Sequence, residues 1–195
     1  MAQVERQPAE GDAVKMVAAM MAAAARTAPK GGGVDVIQTL ILEGSDLEEL
    51  AAEMERSGAQ KSAKSLVRMK RDADNVRRSA CVLLIGTTGA PKPAPGGIKV
   101  NCGGCGYPGC DELREARVAG KVGNDFFGPN CIQPIIDLGI ALGSAAKTAS
   151  LFNVDNRVMY TIGATAKRLQ LLSSDIIIGI PLSASGKNIY FDRPE

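Results

Sequence analysis

The 195-residue chain contains no histidine and no tryptophan, and aromatic residues make up only 4% of it. Without histidine the protein lacks the commonest general base of enzymes and an imidazole metal ligand. Most hydrolase triads and zinc-hydrolase sites are therefore excluded. Scarce, scattered aromatic residues argue against nucleic-acid binding by base stacking. The net charge of +2 gives no global reason to expect nucleic acid or a membrane as a partner.

The chain also lacks a long hydrophobic run. Its most apolar stretch, from Ala13 to Ala25, is shorter than the roughly 20 residues that a membrane span needs; Lys15 lies near its start and Arg26 follows it. We therefore predict a buried helix there. No signal peptide precedes the chain, so we expect a cytoplasmic protein of one domain.

Cysteine, by contrast, follows an informative pattern. Four of the five cysteines form the spacing Cys-x2-Cys-x4-Cys with a fourth after twenty intervening residues, at Cys102, Cys105, Cys110 and Cys131. The glycines between the first three let the backbone curl around a small inorganic core and point N–H groups at it. Four thiolates are the ligand set of a [4Fe–4S] cluster, so the spacing predicts one here. The fifth, Cys81, lies in an apolar run and is expected to be a small buried hydrophobe.

Two other uses of the four cysteines stay open. Structural zinc sites also take four thiolates, but usually as two short pairs, whereas Cys110 and Cys131 are far apart. Disulfides are typical of oxidising compartments and small secreted proteins, which this chain does not resemble. Cys131 is the least secure ligand because it lies remote from the other three.

The cysteine string resembles a known module. Cys-Gly-x-Cys-Gly-Tyr-Pro-x-Cys with a distant fourth cysteine is similar to the iron–sulfur module of anaerobic redox proteins, among them the B subunit of the Rnf electron-transport complex and the large subunit of the corrinoid/iron–sulfur methyl carrier. In that module all four cysteines bind one [4Fe–4S] cluster. The resemblance implies the same role for Cys102, Cys105, Cys110 and Cys131, and it covers about residues 100–131.

Local patterns predict a mixed secondary structure. Periodicity and turn signals indicate helices at about 13–28, 45–56, 61–78, 111–118, 135–152 and 155–171. Strands are indicated at 34–42, 80–86 and 175–180, and loops at 87–100 and 120–130, with a polar start over 1–10 and a polar tail from 183. Ser45 and Glu48 have the spacing of a capping box. We predict an α+β domain over 1–195 with an iron–sulfur insert at 88–131.

Two further strings resemble nitroreductase-like flavoproteins. Ala24–Gly32 is similar to the turn after an early helix in that family, and Asp175–Pro181 is similar to its closing strand. Over about residues 10–190 the chain resembles a family of anaerobe proteins containing a ferredoxin domain, which combine a nitroreductase-like framework with the four-cysteine insert. The resemblance implies helices around a small mixed or antiparallel sheet.

The nitroreductase-like resemblance also implies a flavin. Such proteins are usually homodimers that bind FMN at the subunit interface, with the turn after the helix against the flavin. Carried onto this chain, the candidate flavin contacts are Arg26, Thr27, Pro29 and Lys30. The family's Arg-Arg-Ser string is absent, and Lys30 replaces the usual serine of the turn. The other interpretation of Arg26 and Lys30 is exposure at a helix end, where the dipole favours cations.

The main functional prediction is an iron–sulfur protein that transfers one electron at a time and exchanges it with a ferredoxin or a flavoprotein. The first alternative is an FMN-dependent oxidoreductase fed by the cluster, and the second is a protein with a purely structural metal site. A basic run over 61–78 follows an acidic one over 43–55. The basic face would be a docking surface for an acidic ferredoxin. Alternatively, the two runs are solvated helix faces that complement each other. No residue stands out as an acid–base catalyst, and Tyr107, Tyr160 and Tyr190 are expected to serve packing.

Overall fold

The computed structural model describes residues 6–92, 99–120 and 123–192. Six helices and four strands occur in these ranges, in the order α1 (Arg6–Thr27), β1 (Ile37–Leu42), α2 (Ser45–Lys61), α3 (Ala63–Arg77), β2 (Cys81–Thr87), α4 (Cys110–Val118), α5 (Ile132–Leu151), β3 (Asp155–Asn156), α6 (Tyr160–Arg168) and β4 (Ile176–Ser183). Short 3-10 turns lie at Gly31–Gly33 and Ile189–Phe191. The predicted α+β class is confirmed.

The four strands form one antiparallel sheet in the order β1-β2-β4-β3. Strand β2 pairs with β1 on one edge and with β4 on the other, so that Leu84 lies between Leu40 and Gly179. All seven residues of β2 are buried. Its apolar sequence suits this position, because a strand covered on both faces needs no polar side.

Helices cover both faces of the sheet, and alternate residues of β2 enter two separate cores. One core lies beneath α1 and α5 and includes Met21, Leu83, Ile85, Ala141 and Leu182. The other lies beneath α2, α3 and α6 and includes Leu50, Met54, Leu84, Ile162 and Tyr190. Helix α1 is buried along one side, as predicted for the Ala/Met-rich stretch. Among the described residues, no helix is both long enough and apolar enough to cross a bilayer.

Three local predictions are wrong. The helix expected from Asp155 begins only at Tyr160, because Asp155 and Asn156 pair with Ser183 and Leu182 as β3. The capping box at Ser45 is not formed: Ser45 is already the first helical residue, and no side chain caps this end. Strand β4 continues past residue 180.

The element ends shift elsewhere. Helix α1 already includes residues assigned to the polar start, whose first five residues lie outside the described ranges. Helix α2 runs on to Lys61, and Ser62 caps α3 by accepting a hydrogen bond from the Ser65 backbone N–H. The polar tail contains the wholly buried Tyr190. Of the predicted loops, residues 93–98 and 121–122 lie outside the described ranges.

The acidic and basic runs lie on neighbouring helices. Arg77 of α3 forms ion pairs with Glu48 and Glu55 of α2, at 2.9 and 2.8 Å. Hydrogen bonds from Arg77 lower the pKa of Glu55. Part of the charge pattern is therefore explained by two complementary helix faces.

Candidate metal centre

The first three predicted ligands lie on one tightly turned loop. Gly103 and Gly106 have φ angles of 69° and 85°, which favour glycine, and the Gly106 N–H donates to the Gly103 carbonyl at 2.9 Å. The Asn101 side-chain oxygen accepts a hydrogen bond from the Cys110 backbone N–H, also at 2.9 Å. This bond joins the beginning of the loop to its end, so Cys102 and Cys105 lie within a closed turn that finishes at Cys110.

Two of the cysteines stand at the amino ends of helices. Cys110 is the first residue of α4, and Cys131 is the N-cap of α5. Amino ends of helices carry unsatisfied N–H groups and a partial positive charge, so they stabilise anions. Thiolates that share a metal core are such anions. The sequence prediction placed Cys110 one residue before its helix and did not identify the second amino end.

The fourth cysteine lies within electrostatic reach of the other three. Burial raises the pKa of the Cys131 thiol, a hydrogen bond from the Gln133 backbone N–H lowers it, and the charges of Cys110, Cys105 and Cys102 raise it further. Four thiolates placed near one another repel, which destabilises their charged form. A cationic core bound between them would offset this repulsion.

Contact between the loop and α5 supports the same arrangement. A Cβ atom on Gly104 would lie 2.9 Å from Cγ2 of Ile132, so the cysteine loop packs directly against the first residue of α5. Cys131 is buried and Cys102 is exposed, with Cys105 and Cys110 between these extremes. The four sulfurs thus extend from the interior to the surface.

All five cysteines are free thiols. Cys81 is wholly buried at the start of β2, as predicted, and burial raises the pKa of its thiol to about 12. Among the described residues, no three cysteine, aspartate or glutamate side chains stand close enough together to hold a single metal ion.

An arginine holds the two helix ends of the site in place. Arg117, on the last turn of α4, donates to Asp175 at 2.6 Å, to the side-chain oxygen of Asn130 at 3.0 Å, and to the Pro129 carbonyl. Its guanidinium also lies over the ring of Phe127, 4.9 Å from the centroid. Pro129 and Asn130 directly precede Cys131. Arg117 therefore links the helix that begins at Cys110 to the segment that delivers Cys131.

Backbone hydrogen bonds at Gly89 also hold Cys131 in place. The Cys131 N–H donates to the Gly89 carbonyl at 2.7 Å, and the Gly89 N–H donates to Asp175 at 2.6 Å. A Cβ on Gly89 would lie 1.7 Å from the side-chain oxygen of Asn130, so only glycine fits. The segment after β2 thus fixes Cys131 relative to the sheet.

A buried ion pair ties the segment after β2 to α5 and to the turn after α1. Lys92 and Asp137 form an ion pair, and their side chains are only 7% and 3% exposed. Lys92 also donates to the Gly31 and Val34 carbonyls, while Asp137 accepts from the Gly31 N–H at 2.9 Å. The sequence signal for this pair was available, since Asp137 is the one acidic residue in the apolar α5.

The structure places the four predicted flavin contacts together at the carboxyl end of α1. Arg26 donates to Asp35 at 2.5 Å and to the Ile37 carbonyl at 2.7 Å. Lys30 donates to three carbonyls at that end of the helix, those of Ala25, Arg26 and Ala28. Thr27 donates to the Ala23 carbonyl at 3.2 Å, and Pro29 is exposed. The three polar side chains thus bind the protein itself, and their contact with flavin stays a prediction.

Two family models match adjoining parts of the chain. Residues 99–125, which contain three of the four cysteines, match a model described as "Putative Fe-S cluster". Residues 127–193 match a model described as an uncharacterized protein containing a ferredoxin domain. An uncharacterized protein from Archaeoglobus fulgidus is 43% identical over 184 residues, which cover 94% of each chain. The chain belongs to this ferredoxin-domain family.

The fold also matches solved structures. A nitroreductase with bound FMN from Desulfitobacterium hafniense aligns with a TM-score of 0.56 and 13% identity, over 96% of this chain and 82% of that one. A nitroreductase family protein from Clostridium novyi aligns with a TM-score of 0.51 and 11% identity, over 97% and 81%. The predicted nitroreductase-like fold is confirmed.

Proposed function

We propose that Cys102, Cys105, Cys110 and Cys131 bind one [4Fe–4S] cluster and that the protein transfers one electron at a time. The observation that carries the proposal is the packing of the glycine-rich loop that bears Cys102, Cys105 and Cys110 against the amino end of α5, where Cys131 stands. The match of residues 99–125 to an Fe–S model supports the same ligand type. When bound, a [4Fe–4S] cluster supplies one-electron redox chemistry.

The chain's own groups have distinct roles in this proposal. The Gln133 N–H donates to the Cys131 sulfur, and such bonds to ligand sulfurs raise the reduction potential of a cluster. Burial of Cys131 keeps water from one side of the site. Exposure of Cys102 leaves the other side open to a second protein, which suits electron exchange across a surface.

Partner, oligomeric state and compartment follow as proposals. We propose a ferredoxin or flavoprotein as redox partner, and the reducing cytoplasm as the compartment because it keeps thiols free. A homodimer is supported by an apolar face on α5, where Ile132, Ile136 and Ile140 follow one another at intervals of four residues and are 39%, 48% and 40% exposed. Light scattering of the purified protein tests the dimer. The boundaries of the insert, 88–131, stay a proposal as well.

A flavin-dependent oxidoreductase is the second candidate, and the observation that favours it is the fold. One structural neighbour is a nitroreductase with bound FMN. A flavin phosphate at the end of α1 would have to compete with the bonds that Arg26 and Lys30 make to the protein itself. We therefore rank this candidate below the electron carrier.

Anaerobic purification followed by an absorbance spectrum and metal analysis tests the proposal. A [4Fe–4S] cluster is expected to give a broad violet band that bleaches on reduction, with four irons and four acid-labile sulfides per chain. Additional flavin bands would favour the oxidoreductase. A colourless protein containing one zinc ion would overturn the electron carrier in favour of a structural metal site.

A further inference from the structure

A second concave site lies away from the four cysteines, between α3 and the start of α6. Its volume is about 400 Å³, within the range of pockets that bind small molecules. Three arginine side chains line it: Arg68 and Arg71 from α3, and Arg157 from the segment between β3 and α6. The site does not depend on what the cysteines bind, so the inference goes beyond the proposed function.

Among the described residues that line this cavity there is one carboxylate, and it already has its partners. Asp72 is 4% exposed and accepts two hydrogen bonds from Arg71, at 2.9 and 2.6 Å, on one oxygen. Its other oxygen accepts from the Thr161 hydroxyl at 2.7 Å. The pair of Asp72 and Arg71 is therefore close to neutral. The charges of Arg68 and Arg157 remain in excess within the cavity.

Arg157 is held in a fixed position. Its Nη1 donates to the Tyr190 carbonyl at 2.8 Å, and its guanidinium lies over the Phe191 ring, 5.3 Å from the centroid. A guanidinium carries five donors, so one bond to a carbonyl leaves others to direct at a ligand. Because the side chain is already ordered, little conformational entropy is lost when it binds.

The amino end of α6 adds to the positive potential. The nine-residue helix begins at Tyr160 on the wall of the cavity, and its N-cap, Met159, makes no side-chain capping bond. Amino ends of helices carry a partial positive charge. Two guanidinium groups that form no ion pair with any described residue, together with a helix end, therefore act on the same small volume.

We infer that this cavity binds a small molecule through an oxyanion group, a phosphate or a carboxylate, held by Arg68 and Arg157. Planar guanidinium groups form paired, charge-assisted hydrogen bonds with such groups. A concave site of this size suits a small molecule better than an acidic protein surface, since Arg157 and Arg71 are recessed. The wall also adjoins the cysteine insert: the Tyr160 ring meets the Phe126 ring edge-on at 5.1 Å.

Calorimetric titration of the full, anaerobically purified chain tests the inference, with inorganic phosphate and malonate as separate probes. We expect at least one of them to bind with a dissociation constant of about 1 mM or tighter. Tighter binding of phosphate assigns a phosphate-bearing ligand, and tighter binding of malonate a carboxylate-bearing one. Absence of binding by both probes would overturn the inference.

Variants separate this cavity from general surface charge. Arg68→Gln and Arg157→Gln are each expected to weaken binding about tenfold or more, because each removes charge-assisted hydrogen bonds. Lys70→Gln removes the same charge from an exposed position of α3 that does not line the cavity, and is expected to change binding less than about twofold. Equal losses in Lys70→Gln and Arg68→Gln would overturn the inference. Arg157→Gln also removes the hydrogen bond to the Tyr190 carbonyl. If this variant does not fold, the comparison of Arg68→Gln with Lys70→Gln tests the inference by itself.

Discussion

The guanidinium of Arg117 donates to the carboxylate of Asp175 across 2.6 Å, and this bond joins α4 to the residue that precedes β4. The same carboxylate oxygen accepts from the Gly89 N–H and the Thr88 hydroxyl at the end of β2. One carboxylate thus connects two central strands of the sheet with the helix that begins at Cys110. The position of the cysteine site relative to the sheet depends on this connection.

Replacing Arg117 should lower the stability of the protein and speed the release of iron from the cysteine site. In Arg117→Gln, Asp175 and Asn130 lose a partly buried partner, which should lower the free energy of unfolding by about 2 kcal/mol. Because Cys131 follows directly after Asn130, iron should also be lost faster to a chelator. Urea unfolding and timed iron release measure the two effects.

Arg114→Gln is the matched control for this substitution. Arg114 lies on the same helix, but its side chain is 42% exposed and, among the described residues, its ion pair is with the exposed Asp111. Surface pairs of this kind contribute between zero and about 1 kcal/mol. If both variants released iron at the same rate, Arg117 would have no role in positioning the cysteines.

Gly89→Ala should destabilise the protein because the new methyl group has no space. It would lie 1.7 Å from the side-chain oxygen of Asn130, and either the backbone of this segment or Asn130 must shift. Overpacking of this kind typically costs about 1–3 kcal/mol. Urea unfolding of the variant measures the cost, and the shift should also displace Cys131, whose N–H binds the Gly89 carbonyl.

Gly139→Ala provides the comparison on α5. A Cβ at Gly139 meets no atom within 4 Å, and alanine favours a helix interior by about 1 kcal/mol relative to glycine. This variant should be as stable as the parent protein or slightly more so. A Gly89→Ala protein as stable as Gly139→Ala would show that the segment after β2 adapts freely.

Features encoded within a short stretch of sequence could be predicted, and those that depend on distant partners could not. The apolar run of β2 is a local signal that led to correct placement of the strand. The cysteine spacing is also a local signal, and the stretch with its first three cysteines matches an Fe–S family model. The bond from Arg117 to Asp175 joins residues 58 positions apart. Neither residue differs in sequence from an ordinary surface charge, so nothing marked it before the fold was known.

The error at Asp155 has the same origin. Asp155 and Asn156 have low intrinsic preference for a strand, and the following residues form a helix, so the local pattern favours a helix throughout. Pairing with Ser183 and Leu182 at the edge of the sheet overrides that preference. Since β4 lies more than twenty residues later, a local pattern could not reveal the pairing.

Stability at high pH should depend on Tyr190. Burial raises the pKa of this wholly buried phenol from 10.0 to about 12. Between these two values the unfolded chain loses the proton while the folded protein keeps it. The folded state then binds more protons, so the free energy of unfolding falls as the pH rises, by about 2–3 kcal/mol for this group.

Tyr190→Phe should remove that part of the pH dependence. At pH 8 the variant should be less stable by about 1 kcal/mol, because the hydroxyl lies 2.9 Å from Ser79 and that hydrogen bond is lost. As the pH rises past 10, its free energy of unfolding should approach that of the parent protein. Burial also raises the pKa of Cys81 to about 12, so this thiol contributes equally to the pH dependence of the free energy of unfolding in both proteins. Parallel curves in urea unfolding from pH 8 to 11 would contradict the role of Tyr190.

The identity of the fourth ligand is tested by comparing two buried cysteines. Cys131→Ser should lower the iron content and weaken the violet absorbance, because a hydroxyl at the start of α5 is a poorer iron ligand than a thiolate. Cys81→Ser changes the same atoms in a cysteine that is also buried but lies at the first residue of β2, at the opposite end of this strand from the segment that leads to the cysteine loop. It should lose stability, since a hydroxyl in an apolar core lacks a partner, yet keep its full iron. Iron analysis of anaerobically purified, folded protein gives the comparison. Full iron occupancy in Cys131→Ser would leave only three thiolates from the loop, and the cluster would then need a ligand from elsewhere.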